Sequence, residues 1–279
     1  MSTRQAVVAG QFYPKDKKGL TTLLAKLLAD GPAIKTKSLA VVAPHAGYVY
    51  SGKTAGKVYS SIEIPDTVII MSPNHTGIGS PVSLDPAEKW STPLGDVNAD
   101  INILKKIKDK FSQAEFNSNA QTREHALEVH LPFLQILRPD VKIVPMTLAD
   151  MNINSIKELG IVLAEIIIDV ENKTGSIPLI VASSDMTHFE DAETAKKKDM
   201  MAIDKIKQLD TDGFIDVVEN HDITLCGLYT IPVMMEAVKR YSKLKKLSFK
   251  VELIDYTNSG FVTGDSLEVV AYAGIVVFL

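Results

Sequence analysis

The sequence predicts an α/β fold: one α/β/α sandwich over residues 1–279 with a mixed, largely parallel central sheet. Three observations predict it. Strand-like apolar runs and amphipathic helical stretches alternate along the chain. No Pro-, Gly- or Ser-rich linker and no internal repeat divides the 279 residues, a length near the upper limit for a single hydrophobic core. Three apolar runs stop abruptly in a turn that carries a histidine: Val41-Val42-Ala43-Pro44-His45, Val68-Ile69-Ile70-Met71-Ser72-Pro73-Asn74-His75, and Leu179-Ile180-Val181-Ala182-Ser183-Ser184-Asp185-Met186-Thr187-His188. Parallel sheets bind ligands in the crevice beyond the carboxyl ends of their strands, so a sheet that gathers these ends would bring the histidines together.

Each element follows from local pattern. Leucines at positions 20, 23, 24, 27 and 28 make 19–30 a helix ended by Asp30-Gly31-Pro32. Residues 39–43 read as a strand, Ser51 as the cap of a helix running to residue 62, and 67–71 as the next strand. Residues 99–111 form an amphipathic helix, and 124–137 a helix kinked or restarted at Pro132 that leads into a strand at 141–145. A long helix over 153–170 precedes a strand at 178–182. Helices at 192–209, 213–219 and 227–241 follow, and strands at 247–256 and 266–278 close the chain, the last apolar enough to lie inside the sheet.

Composition excludes several classes. With 46% apolar and 23% charged residues the chain is ordinary globular protein. A net charge of −4 provides no basic stripe for nucleic acid. Lysines at 15, 17 and 18, at 196–198, and at 243, 245 and 246 read as solvated faces. The most apolar segments, 161–170 and 269–279, are too short to span a membrane, and no signal-like stretch follows Met1. A single cysteine, Cys226, rules out an intrachain disulfide, and a cytoplasmic location is expected.

His45, at a strand tip with Gly47 letting the backbone turn beneath it, and His75, set the same way one strand later, are candidate metal ligands, because neutral imidazole is the commonest ligand in proteins. Cys226, at the mouth of a helix whose N-terminus favours thiolate, is either a third ligand or an inert core thiol. Two imidazoles and a thiolate suit copper, zinc or iron. Asp185 and His188 form an acid–imidazole pair at a third strand end, fit for proton transfer. His125 and His130 are five apart, on different faces of a helix, so a zinc protease motif is excluded; His125 or Glu128 remains able to reach the pocket, and His130 reads as packed or exposed. His221 reads as a loop or capping residue, and Tyr48, Tyr50 and Trp90 either line the cleft or pack. No nucleotide-binding loop and no serine-hydrolase elbow is present.

The blocks Gly10-Gln11-Phe12-Tyr13-Pro14, Ala43-Pro44-His45-Ala46-Gly47-Tyr48, Ser72-Pro73-Asn74-His75, Trp90-Ser91-Thr92-Pro93-Leu94-Gly95, Glu124-His125-Ala126-Leu127-Glu128, Ser183-Ser184-Asp185-Met186-Thr187-His188 and Cys226-Gly227 resemble the Memo family. That family is similar in fold to class III extradiol dioxygenases. The resemblance implies that His45, His75 and Cys226 hold one metal ion, iron or copper first and zinc second, while His188 moves protons and Asp185 orients it. Sulfur in place of the dioxygenases' carboxylate ligand argues against ring cleavage and for redox chemistry at iron or copper. The resemblance also implies a small-molecule or peptide ligand, and AMMECR1-like and radical SAM proteins as partners; the charge and segment lengths predict no nucleic acid and no membrane. A metal-dependent redox protein is therefore expected; a non-catalytic peptide- or ligand-binding module in the same cleft is the alternative, and a zinc-dependent hydrolase the third reading.

Overall fold

The computed structural model describes residues 2–32 and 34–279. Along the chain it forms β1 (Thr3–Arg4), α1 (Lys17–Leu27), β2 (Ser38–Ala43), α2 (Tyr48–Ser61), β3 (Thr67–Pro73), β4 (Val82–Leu84), β5 (Lys89–Thr92), β6 (Gly95–Ala99), α3 (Ile101–Lys110) and β7 (Ala114–Phe116). It continues through α4 (Leu131–Leu137), β8 (Lys142–Leu148), α5 (Ile153–Thr174), β9 (Leu179–Ser183), β10 (His188–Glu190), α6 (Ala192–Lys207), α7 (Thr211–Asn220), α8 (Thr230–Lys245), β11 (Lys250–Asn258), α9 (Gly260–Thr263) and β12 (Val269–Phe278).

The strands join in one mixed sheet in the order β1-β5-β6-β8-β3-β9-β2-β12-β10, with β11 on β12 and β4 between β8 and β7. Its centre, β8-β3-β9-β2, is parallel throughout. Every residue of β2, β3 and β9 is buried, as strands covered on both faces must be. Side chains alternate between two apolar layers: Val42, Ile69 and Ile180 pack with residues of α3, α5 and α8, whereas Val41, Ile70 and Val181 pack with residues of α1, α2 and α4. The α/β/α sandwich expected from the sequence is what the chain forms. Asp16, Asp100, Asn152, Asp191 and Asp210 each accept a first-turn N–H of the following helix, worth about 1 kcal/mol apiece. Among the described residues no helix is long and apolar enough to cross a membrane.

Several elements differ from the sequence reading. Residues 124–127 are loop; a short 3₁₀ turn at Glu128–His130 leads into α4, where Pro132 sits in the first turn and starts the helix instead of kinking it. The carboxylate of Glu124 accepts the N–H groups of His125 and Ala126, which competes with helix formation. α2 begins at Tyr48, ahead of Ser51, whose hydroxyl donates to Ala46 O within the helix's entry. The short strands β4–β7 include the hairpin β5–β6, in which Thr92 pairs with Gly95, a residue at φ +124° that needs glycine.

The N-terminal segment is pinned across this scaffold by Glu128. That carboxylate, fully buried, takes an ion pair from Arg4, the Tyr13 hydroxyl at 2.6 Å, and the N–H groups of Val7 and Val8 at 2.9 and 3.1 Å. Arg4 in turn lies 4.4 Å above the Trp90 ring. Glu128→Ala strands a buried guanidinium and is expected to lower stability in urea unfolding by about 3–5 kcal/mol; a loss under about 1 kcal/mol contradicts this anchoring role.

Candidate metal centre

β2, β3 and β9 run the same way, with Ala43 opposite Ser183 and Met71 opposite Ala182, so His45, His75 and the 184–188 segment emerge at one edge of the sheet. The loop carrying His125 closes over them. One donor atom each of His45, His75 and His125 lies within 4.8 Å of the others, a group able to hold a metal ion. The rings of His75 and His125 stack at 4.9 Å, and that of His45 meets both edge-on at 5.2 and 5.7 Å.

Each imidazole is oriented from behind. His45 Nδ1 lies 2.8 Å from the Ser183 hydroxyl, and the backbone N–H of His45 donates to Asp185 Oδ1 at 2.8 Å. Glu124, with no exposed surface, receives the His75 N–H at 2.7 Å and faces His75 Nδ1 at 3.0 Å and His125 Nδ1 at 3.6 Å. Nδ1 of His45 and of His75 being hydrogen-bonded, Nε2 is the atom each has left for a ligand, as in metal sites whose imidazoles lean on a carboxylate; His125 Nδ1 is near Glu124 without a hydrogen bond. Desolvation holds His45 well below the ordinary histidine range and lowers His125, so both stay neutral and keep their lone pairs. His75 differs: although burial opposes it, the hydrogen bond and charge of Glu124 raise its pKa. Three neutral-capable nitrogens with carboxylate support fit iron, copper or zinc.

A second pair borders this cluster. His188 Nδ1 donates to the Thr224 carbonyl at 2.9 Å, which leaves Nε2 facing Cys226 Sγ at 3.8 Å. Thr224, and not Asp185, therefore orients His188; Asp185 spends its carboxylate on the N–H groups of His45 and Ala46, and burial pushes its pKa up to about 7. Phe189, beside His188, has a left-handed backbone at φ 61° and exposes most of its ring. Burial, aided by Asp185, pushes the Cys226 thiol up to about 12. Burial thus outweighs the helix-terminus stabilisation of thiolate expected from the sequence. Gly227 lets the chain beside Cys226 approach the turn after β9: a Cβ there would meet Ser184 at 2.5 Å. Gly47 has no comparable constraint, with φ −55° and ordinary room for a Cβ.

The sequence model of Memo-like proteins matches residues 4–276. The chain belongs to the Memo family. A "MEMO1 family protein" of Aquifex aeolicus is 40% identical over 99% of both chains, and those of Desulfurococcus amylolyticus and Methanosarcina acetivorans are 38% identical over 99% of this chain and 99 and 100% of theirs. The crystal structure of the uncharacterized protein JW3007 from Escherichia coli K12 is similar in fold, with a TM-score of 0.55 at 11% identity over 85% of this chain and 99% of that one.

Within this Memo-family fold, His45 and His75 meet as the sequence predicts, and His125, whose role the sequence left open, joins them. Cys226 is outside that three-histidine group and sits against His188. Glu128 serves the N-terminal segment, and Trp90 is wholly buried. Sequence reasoning passed over the roles of Glu124, Ser183 and Tyr59, and of its two readings of His130, packed or exposed, the packed one holds. His130 is fully buried, with Nδ1 on the Tyr59 hydroxyl at 2.9 Å and Nε2 on Ser183 Oγ at 2.8 Å. The available signal was polar residue types inside apolar runs, which must find partners if buried.

Burial lowers the pKa of His130 from 6.5 to about 3. A histidine neutral in the fold and free to protonate when unfolded contributes stability in full above its unfolded pKa and loses it as pH falls toward the folded value. Over that window His130 is expected to cost up to about 1.4 kcal/mol per pH unit, and His130→Gln to flatten the stability–pH slope below about pH 6.5 by a comparable amount. Denaturant unfolding across that window with an unchanged slope contradicts a neutral, buried His130.

Proposed function

We propose that this Memo-family protein is a metal-dependent redox protein using one iron or copper ion in the cleft, with His45 and His75 as ligands. The observation that carries the reading is the convergence of three imidazoles on one point at the edge of the sheet, with Nδ1 of His45 held by a hydroxyl and Nδ1 of His75 by a carboxylate. His125 is the third ligand supported by distance. Cys226 is the third ligand implied by resemblance, and it would have to shed a proton held up to a pKa of about 12, which a bound cation favours.

Iron or copper, when bound, supplies an electron-transfer couple beside a small substrate. The protein's own groups do the rest. His188, pinned through Nδ1 by Thr224, offers Nε2 as a proton acceptor, and the neighbouring Cys226 thiol is its proton donor at rest. Asp185, near neutrality in pKa, holds the His45–Ala46 backbone and is able to keep or release a proton at the cleft wall. Burial of His45 and Glu124 excludes water from the back of the site. The all-imidazole set also favours one second reading, zinc with an activated water, since three histidines and an open position form a known hydrolytic arrangement.

Metal analysis by mass spectrometry on anaerobically purified protein tests this. Near-stoichiometric iron or copper is expected in wild type and lost in His45→Ala. Loss in His125→Ala with retention in Cys226→Ala supports the all-histidine set, and the reverse supports the sulfur ligand. Zinc without oxygen consumption would shift the assignment to hydrolysis. Wild-type protein that refuses added Fe(II), Cu and Zn alike would overturn the proposal in favour of a ligand-binding module.

A further inference from the structure

Behind His45 lies a chain of buried polar groups of which the proposed function uses only the first, the hydroxyl on His45 Nδ1. Ser183 Oγ, at the end of β9, has three partners at 2.8 Å: the Ala126 carbonyl, His45 Nδ1 and His130 Nε2. A hydroxyl has one hydrogen to give and two lone pairs to fill. The carbonyl can only accept, so that hydrogen belongs to Ala126 O, and both imidazoles must donate to Ser183. His130, protonated on Nε2 and neutral, then accepts on Nδ1 from the Tyr59 hydroxyl at 2.9 Å. Reversing the chain would leave two buried groups, the Tyr59 O–H and the Ala126 C=O, without partners. The polarity is thus set at both ends.

We propose that Ser183, locked in orientation by His130 and Tyr59, is a positioning residue that fixes His45 in the Nδ1–H tautomer and so presents its Nε2 lone pair to the metal. The use of that lone pair rests on the metal reading above; the tautomer itself does not. The competing state is visible in the same site. His45 Nε2 stands 3.9 Å from Asp185 Oδ2, so without Ser183 the ring is able to carry its proton on Nε2 and turn it toward Asp185, which blocks the donor atom. Ala126 ties the two halves together, since its N–H donates to Glu124, the carboxylate behind His75 and His125, while its carbonyl receives Ser183. Orientation of all three imidazoles therefore converges on the 124–126 loop.

Long-range ¹H–¹⁵N NMR on the metal-free full-length protein, labelled with ¹⁵N at histidine, reads the tautomers directly. Opposite tautomers are expected in wild type, Nδ1–H at His45 and Nε2–H at His130, with assignments made from His45→Gln and His130→Gln. Ser183→Ala is expected to move His45 toward Nε2–H and to weaken Co(II) uptake about 10- to 100-fold, the range found when a group behind a metal ligand is lost. Ser183→Thr, which keeps the hydroxyl, is expected to restore both. An Nε2–H tautomer at His45 or an Nδ1–H tautomer at His130 in wild type would overturn the proposal whatever the variants do. So would a Ser183→Ala protein with unchanged His45 signals. The expected tautomers in a wild-type protein that refuses Co(II) would uphold the relay and bring down the metal reading instead.

Discussion

The site depends above all on Glu124. Its buried carboxylate receives the backbone N–H groups of His75, His125 and Ala126 and faces the Nδ1 atoms of two histidines, so one side chain joins the turn after β3 to the loop before α4. A buried carboxylate without such partners would be neutralised by desolvation; here the hydrogen bonds and the His75 charge win, and its pKa is lowered. Glu128, four residues on, does the same for the N-terminal segment and brings Phe12 against His125 at 4.7 Å between ring centres. Two acids in one short stretch therefore hold the cleft and the segment that borders it.

The fold was largely legible because its signals are local. Continuous apolar runs such as 179–182 announce strands buried on both faces, and leucine spacing announces α1. Placement of His45 and His75 followed from the parallel topology, which brings strand ends to one edge whatever the loops do. His125 was legible only as a residue able to reach the pocket, because its spacing to His130 was judged on a helix where the chain forms a loop in which Glu124 takes the first N–H groups. Nor was the orientation of His188: Thr224 lies 36 residues away in sequence, and only the tertiary structure makes its carbonyl a partner. β4 and β7 have three residues each, too few for alternation to register.

Desolvation dominates the electrostatics of the centre. It keeps His45, His125, His130 and His188 neutral, holds the Cys226 thiol protonated and raises Asp185, so the cleft carries little charge apart from the His75–Glu124 pair. His45 and His125, kept neutral by burial, need no proton removed to ligate, the preorganisation that a functional site requires, whereas His75 has a pKa raised by Glu124. The same low-dielectric surroundings that make these rings good donors make an incoming cation's charge felt strongly, and Asp185 and Glu124 are the carboxylates placed to balance it.

The central claim is that His45, His75 and His125 each give a ring nitrogen to one ion. X-ray absorption fine structure of the metal-loaded protein measures this most directly, because imidazole rings bound through nitrogen give a characteristic outer-shell scattering. The structure predicts a nitrogen-rich first shell with that scattering from all three rings. A first shell of oxygen alone, without imidazole scattering, would contradict it.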